Sequence, residues 1–459
     1  MRYTVFDIEA DGLRGEVSKI HCLAYQVLNG SFEVVEEGTL RRPTKEEIIN
    51  FFSKQECVVG HNIIRYDIPV LQDYSNVPIN FRQIDTLPLS WYLFPNRLKH
   101  GLEQWGEDLG VAKPEVKDWK NLSIEEYEHR CQEDVKINVL LFKEQQYYFS
   151  TLYTGNFAQI DKCIDYLCYK IMCAREQEEV KLKLDVPHIN KCLEELEILK
   201  NEKVVALQEA MPLNIIYKEV KKPNKPFKAN GELSVAGEKW YQLLDELGYS
   251  SEHPGPLRVI KERLPGNPAS SIQIKDWLDT LGWIPQTFEH RKNTTGQVKA
   301  VPQIYDGDSV CQSIKNLYDI EPALENLDML SLINHRISIF KGFLSSVDKY
   351  GFAQATINGF TNTLRFKHRK PIVNLPKPGK FYGDEIRGSI IVPDNQTMMC
   401  GSDMSALEDT TKQHYMYFYD PEYVTQMRVP GFDPHIDVAV LSNLMTKEEE
   451  KFYKWFKEQ

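Results

Sequence analysis

The residues best equipped for chemistry stand at the start of the chain. Asp7 and Glu9 lie two positions apart in Phe6-Asp7-Ile8-Glu9-Ala10-Asp11-Gly12, just behind the strand-like run Tyr3-Thr4-Val5-Phe6. Alternate residues of a strand point to one face, so the two carboxylates project together while Phe6 and Ile8 face the other way. Carboxylates held side by side repel unless a cation sits between them. The pair is therefore a candidate magnesium site for phosphodiester chemistry, although an isolated Asp-x-Glu also describes a solvated strand edge. Two later segments each supply another acid at a regular element. Asp67 follows a short apolar strand and polar turn in Val58-Val59-Gly60-His61-Asn62-Ile63-Ile64-Arg65-Tyr66-Asp67, and Asp134 lies on a helical run from Tyr127 through Leu141.

The elements that must position these acids follow from pattern. Residues 1 to about 145 alternate short strands (3–8, 19–27, 32–39, 57–60) with helical stretches (44–54, 67–74, 100–110, 123–147), which is an α/β reading with a mixed sheet. A mainly helical region follows, with one helix over 157–179. Another begins at the cap Asp185 with Pro187 in its first turn and runs to about 210. The stretch 217–230, with Lys218, Lys221, Lys222, Lys225, Lys228 and two prolines, reads as an exposed basic loop.

The order D-x-E, then N-x(3)-Y-D, then D-V resembles the exonuclease domain of polymerase-I-type enzymes, the DEDD group of 3′–5′ exonucleases. Ile84-Asp85-Thr86-Leu87 and Leu102-Glu103-Gln104-Trp105-Gly106 resemble that family's "DT" and "LExWG" segments. The resemblance implies an RNase H-like domain in which Asp7, Glu9, Asp67 and Asp134 bind two Mg2+ ions, with Mn2+ as a substitute. It departs in one place. Four residues before the last Asp, where the family's polymerase branch has a water-orienting Tyr, this chain has Arg130. His129 lies five before Asp134, where the other branch has a His, and is the candidate to orient water; Tyr127 is also near.

The second half resembles family A DNA polymerases of phage type. Asn267-Pro268-Ala269-Ser270-Ser271, a helix, and Leu281-Gly282-Trp283-Ile284-Pro285 are similar to the segment before the thumb. A helix pair over about 320–349 would then belong to the thumb, with Arg336 and Lys341 near a duplex. Thr361-Asn362-Thr363-Leu364-Arg365-Phe366-Lys367-His368-Arg369-Lys370 is a basic stripe able to neutralise phosphates without reading sequence. With Asn374-Leu375-Pro376 it resembles "T-G-R…P-N-L", placing Arg365 near the primer terminus and Lys367, Arg369 and Lys370 on DNA. Met399-Cys400-Gly401-Ser402-Asp403-Met404-Ser405-Ala406-Leu407-Glu408 resembles motif A, an Asp at a strand end followed by a helix. By that resemblance Asp403 binds Mg2+, Glu408 is the steric gate beside the sugar, and His435 in Asp433-Pro434-His435 touches the incoming dNTP. The family's later closing-helix and H-D-E motifs do not occur before Gln459, so polymerisation by this chain alone is not expected.

Composition narrows the remaining classes. No apolar run approaches the ~18 residues of a membrane span, so no membrane partner is expected. The nine cysteines show neither C-x-x-C nor a zinc spacing with histidine and read as reduced residues of a cytoplasmic protein, host cytoplasm if phage-encoded. A net charge of −11 argues against a nonspecific nucleic-acid coat but leaves room for a local basic groove.

The expected architecture is α/β: an RNase H-like exonuclease domain with mixed sheet (1–150), a mainly helical thumb region with a basic loop (151–349), and the start of an α+β polymerase palm (350–459). The expected function is that of a DNA-directed DNA polymerase with 3′–5′ proofreading. Its partners would be primer–template, single-stranded 3′ ends, dNTPs, and a second polypeptide if one completes palm and fingers. Two alternatives stay open: a free-standing DEDD exonuclease, and a non-catalytic docking or primer-handling module of a replication complex.

Overall fold

The computed structural model describes residues 2–113, 122–292, 297–307, 309–369, 372–404 and 406–458. The chain forms two compact units, Met1–Ile391 and Val392–Gln459. The first unit opens with a five-stranded sheet of β1 (Tyr3–Ala10), β2 (Ile20–Leu28), β3 (Val34–Arg41), β4 (Cys57–Gly60) and β5 (Arg82–Asp85), in the order β3-β2-β1-β4-β5. β1, β2 and β3 pair antiparallel, whereas β4 joins β1 and β5 joins β4 in parallel. Parallel neighbours need crossovers. Helix α1 (Lys45–Phe52) and helix α2 (Asp67–Ser75) supply them. The mixed α/β sheet expected from the alternation is thus present, with β5 and helix α3 (Thr86–Leu93) added where no element had been expected.

Three further helices follow: α5 (Ile124–Leu152) and α6 (Phe157–Val180) pack on the sheet, and α4 (Leu102–Leu109) packs on α5. Ser123 and Glu126 form a reciprocal capping box that starts α5 at a defined residue. That start sets the phase of the helix. Tyr127, Cys131, Asp134 and Val135 fall on its buried face, and Cys131 Sγ approaches the backbone oxygen of Asp7 at 3.2 Å. The other sheet face is closed by Phe6 against Phe52, edge to face at 5.1 Å. Gly106 is required by close approach: a Cβ there would meet Val111 O at 2.5 Å and Ile137 Cδ1 at 2.8 Å, so the glycine lets α4 lie on α5.

Beyond α6, a helix over Val186–Ala210 packs on a helix over Leu330–Ser346 around Leu196, Ile333, Ile337 and Phe340. The helix pair expected over 320–349 is instead a 3-10 turn, Pro322–Leu327, and one helix, separated by Met329 at φ 64°. Arg336 is buried and its Nε donates to Phe381 O at 2.9 Å, which corrects its expected place beside a duplex. Lys341 pairs with Glu197 at 2.6 Å. The basic loop expected over 217–230 begins as a strand: Asn214–Val220 pairs antiparallel with Leu257–Leu264, putting Lys218 opposite Val259. All nine cysteines are free thiols. No helix among the described residues is long and apolar enough to cross a membrane.

The second unit contains helices Leu407–Met416, Pro421–Met427, Pro434–Leu441 and Lys447–Glu458. The strand expected to lead into Asp403 does not form. Met398 and Met399 are exposed, and residues 397–404 have no ladder partner. A strand has little stability without a paired backbone and a face to bury, so apolar side chains alone do not make one.

Candidate active site

Three separated segments bring their acids together. Asp7 and Glu9 lie on the face of β1 that α5 covers, opposite Ala24 and Cys22 of β2. Asp134 reaches them from α5. Ligand-capable oxygens of Asp7, Glu9 and Asp134 all lie within 4.8 Å of one another, the only such group of three among the described residues. Asp67, the first residue of α2, is buried, and its charge acts on Asp7.

The loop before Asp67 is held from behind. The buried Asp85 carboxylate accepts backbone N–H groups of Asn62 at 2.7 Å, Ile64 at 3.1 Å and Leu87 at 3.0 Å. Thr86 Oγ1 lies 2.7 Å from Asn138 Oδ1 of α5 and 3.2 Å from Gly60 O, and the His61 ring reaches the same hydroxyl at 2.9 Å. Arg65 makes a two-pronged pair with Glu178 of α6, at 3.0 and 2.7 Å. Tyr66 donates to Gly12 O at 2.7 Å, tying the same loop to the turn after β1.

Two cations enter the acidic cluster. Lys113 Nζ donates to Asp134 Oδ2 at 2.5 Å, and Arg130 Nε lies 3.1 Å from Glu9 Oε1. Both pairs are largely buried. Arg130 and Asp134 are four apart and share a helix face; His129 falls outside it. His129 is exposed, with Nδ1 4.0 Å from Glu133, so the structure does not seat it as a water-orienting base. Tyr127 is buried and stacks on His21 at 3.9 Å between ring centroids. Sequence reasoning missed Lys113 altogether, because nothing local marks a lysine on the loop after α4 as a partner of Asp134.

The donor set suits a hard divalent cation, being all carboxylate oxygen. Asp134 Oδ1 is buried with no hydrogen-bond partner among the described residues, as expected of an atom left for a ligand. The electrostatics agree. Burial pushes Glu9 up to about 7, with Asp134 adding to the shift and Arg130 opposing it. Burial pushes Asp67 up to about 8, against the backbone N–H groups of Asp67 and Ile8. Asp7 is raised well above the ordinary range by burial first, then by Asp134, Asp67 and Glu9.

A pH dependence follows. The folded state binds these protons more tightly than the unfolded chain, so this contribution to metal-free stability is complete below about pH 4 and is lost as pH rises through about 7 to 8. Divalent ions compete with the same protons. The rise in thermal midpoint caused by Mn2+ should therefore grow between about pH 5 and pH 8. Melting curves with Mn2+ and with chelator check this, and a pH-independent Mn2+ effect would remove these carboxylates as ligands.

The residues proposed for polymerase chemistry are placed less closely. Residues 357–360 and 366–368 form a hairpin in the first unit, with Phe360 against Trp91 at 5.5 Å and Lys170 over Phe366 at 4.5 Å. Arg365, Lys367 and Arg369 alternate along it and are exposed. Lys370 lies outside the described residues. In the second unit Asp403 is exposed in irregular backbone, and Glu408 is exposed in the first turn of Leu407–Met416. His435 is exposed in the first turn of Pro434–Leu441, two residues after Asp433, whose side chain caps that helix by accepting from His435 N at 3.0 Å.

Residues 4–119 match a family described as the RNase_H superfamily. No curated protein matches the chain. Among solved structures, the POL domain of Pol1 from M. smegmatis in complex with DNA primer-template and dNTP is similar at TM-score 0.48 and 12% identity, over 85% of this chain and 55% of that one. E. coli Exonuclease I with a dA16 oligonucleotide gives TM-score 0.24 and 15% identity, over 33% of this chain and 43% of that one. Exonuclease X with 5′ overhanging duplex DNA gives TM-score 0.22 and 18% identity, over 30% and 89%. The chain thus spans about half the length of the polymerase structure. Its N-terminal sheet with flanking helices is an RNase H-like domain within a mixed α/β protein.

Proposed function

We propose that the N-terminal domain is a divalent-metal-dependent 3′–5′ exonuclease acting on DNA ends, carried by a DNA polymerase chain of the family A type. The observation that supports it most is the convergence of Asp7, Glu9 and Asp134 from β1 and α5, with the charge of the buried Asp67 acting on Asp7. Paired acids at two positions could be structural. Four acids from three segments, Asp67 and Asp134 buried and Asp7 and Glu9 half-buried, each displaced toward its protonated form, cost stability that a cation would restore.

In the proposed reaction water attacks the terminal phosphodiester, the bond from phosphorus to the 3′ oxygen breaks, and a nucleoside 5′-monophosphate leaves. The shortened strand keeps a 3′ hydroxyl. A divalent cation held by the acids supplies charge stabilisation at the phosphate and activation of the water. The chain itself provides position. Asp85 and Thr86 set the loop that presents Asp67, and the capping box of α5 sets the phase that presents Asp134. Arg365, Lys367 and Arg369, exposed on one hairpin, are suited to hold a strand by its phosphates.

The polymerase assignment rests on the order of motifs from Arg365 through Asp403, Glu408 and His435. In it Asp403 binds Mg2+, and Glu408 and His435 contact the dNTP. The placement of Arg130 and Lys113 on the acids favours a second reading, a silenced nuclease domain retained for docking on DNA.

Digestion of single-stranded DNA labelled at its 5′ end separates these. A ladder shortening from the 3′ end with Mg2+ or Mn2+, abolished by chelator, is the expected result. Intact DNA across both metals would leave only the silenced reading.

A further inference from the structure

The acidic cluster is built with its own cations. Glu9 Oε1 has the Arg130 guanidinium at 3.1 Å, and Asp134 Oδ2 has the Lys113 ammonium at 2.5 Å. The Arg130 and Glu9 side chains are only 14% and 13% exposed, so this pair belongs to the interior and is poorly screened by solvent. Arginine cannot shed its charge, and its planar fork holds a carboxylate in fixed geometry. It stands four residues before Asp134, on the helix face that the capping box turns toward β1. Lys113 is different: an ammonium on a flexible stem, able to withdraw when a stronger cation arrives.

Charge decides how many ions such a site accepts. Asp7, Glu9 and Asp134, with Asp67 near enough to act on Asp7, carry four negative charges when ionised, and Arg130 permanently offsets one of them. Two divalent ions would then leave excess positive charge in a buried site before any phosphate arrived. One divalent ion, with Arg130 kept and Lys113 either kept or withdrawn, leaves a site neutral or singly negative. The atoms point the same way, since Glu9 Oε1 has the Arg130 charge 3.1 Å away whereas Asp134 Oδ1 is buried with no hydrogen-bond partner among the described residues.

We propose that Arg130 is a resident cation of this site, replacing one of the two divalent ions, so that the domain binds a single ion at Asp7 and Asp134, beside Glu9. The inference rests on the exonuclease reading above and deepens it. Arg130 acts as a positioning residue for Glu9 and as a fixed positive charge beside the scissile phosphate.

The test counts Mn2+ bound per full chain, by titration with electron paramagnetic detection of the free ion. Each protein is compared with the same protein carrying Asp7→Asn and Asp134→Asn, so that ions bound elsewhere cancel. The expected difference is one ion for the unsubstituted chain and for Arg130→Lys, and two for Arg130→Gln. Two ions in the unsubstituted chain, or one in Arg130→Gln, would overturn the proposal. If Arg130→Gln does not fold, the count for the unsubstituted chain still decides between one and two. No difference in any protein would overturn the exonuclease reading itself, which keeps the two failures apart.

Discussion

Asp7→Asn should lower exonuclease turnover by about 10³-fold or more, because metal-assisted charge stabilisation is the main source of rate in such a site. The same substitution should raise the thermal midpoint of the metal-free protein. Asp7 is held well above the ordinary carboxylate range by burial and by Asp134, Asp67 and Glu9. As pH rises the unfolded chain releases that proton before the folded chain does, which favours unfolding. An amide of the same shape removes the difference. Opposite movements of activity and stability are the mark of a functional carboxylate; a merely structural one would lose both together. Digestion of labelled DNA and a melting curve in chelator make the measurement. Undiminished digestion would sink the assignment, and a lowered midpoint would show that Asp7 supports the fold instead.

Asp85→Ala should have the larger effect on stability. Its carboxylate is fully buried and accepts three backbone N–H groups, from Asn62, Ile64 and Leu87. Leaving buried donors unpaired costs about 1–3 kcal/mol each, so a loss of about 3 kcal/mol or more is expected. Burial pushes Asp85 up to about 6 while the three N–H groups oppose the shift, so at pH 7 and above the carboxylate form dominates and the contacts are charge-assisted. Asp85→Asn keeps one acceptor oxygen and should lose less. Both variants loosen residues 61–66, which deliver Asp67, so digestion should slow even at temperatures where the fold persists. Denaturant titration checks the stability, and a loss below about 1 kcal/mol from Asp85→Ala would show that the loop is held by other contacts.

The two variants probe different links. Asp7 acts on chemistry through charge placed at the site. Asp85 acts on local structure, fixing the loop between β4 and α2 from behind. The Thr86–Asn138 contact does the same between β5 and α5. Asp85 and Thr86 stood out in sequence only through the resemblance to the "DT" segment, yet their contacts hold the segments that carry the acids.

What could be read from the sequence alone followed from local periodicity. Strand alternation was enough to place Asp7 and Glu9 on one face, and helical spacing over 123–147 to put Asp134 on a helix. The mixed sheet was legible because apolar alternation and helical spacing are encoded residue by residue. Misreadings came where a segment depends on distant partners. Lys218 sits in a strand because Leu257–Leu264 lies beside it, and residues 398–400 remain irregular because nothing pairs with them. Arg336 looked like a surface cation, and the carbonyl of Phe381, far along the chain, drew it inside. That Arg130 and not His129 faces the acids turned on helix phase relative to β1, which only the packed helix reveals. The kinds of residue available for chemistry were therefore set by sequence, since side-chain identity and spacing are local. Which cations stand among the acids was decided by tertiary structure, because Lys113 and Arg130 reach them only when the loop after α4 and the helix α5 close over the sheet.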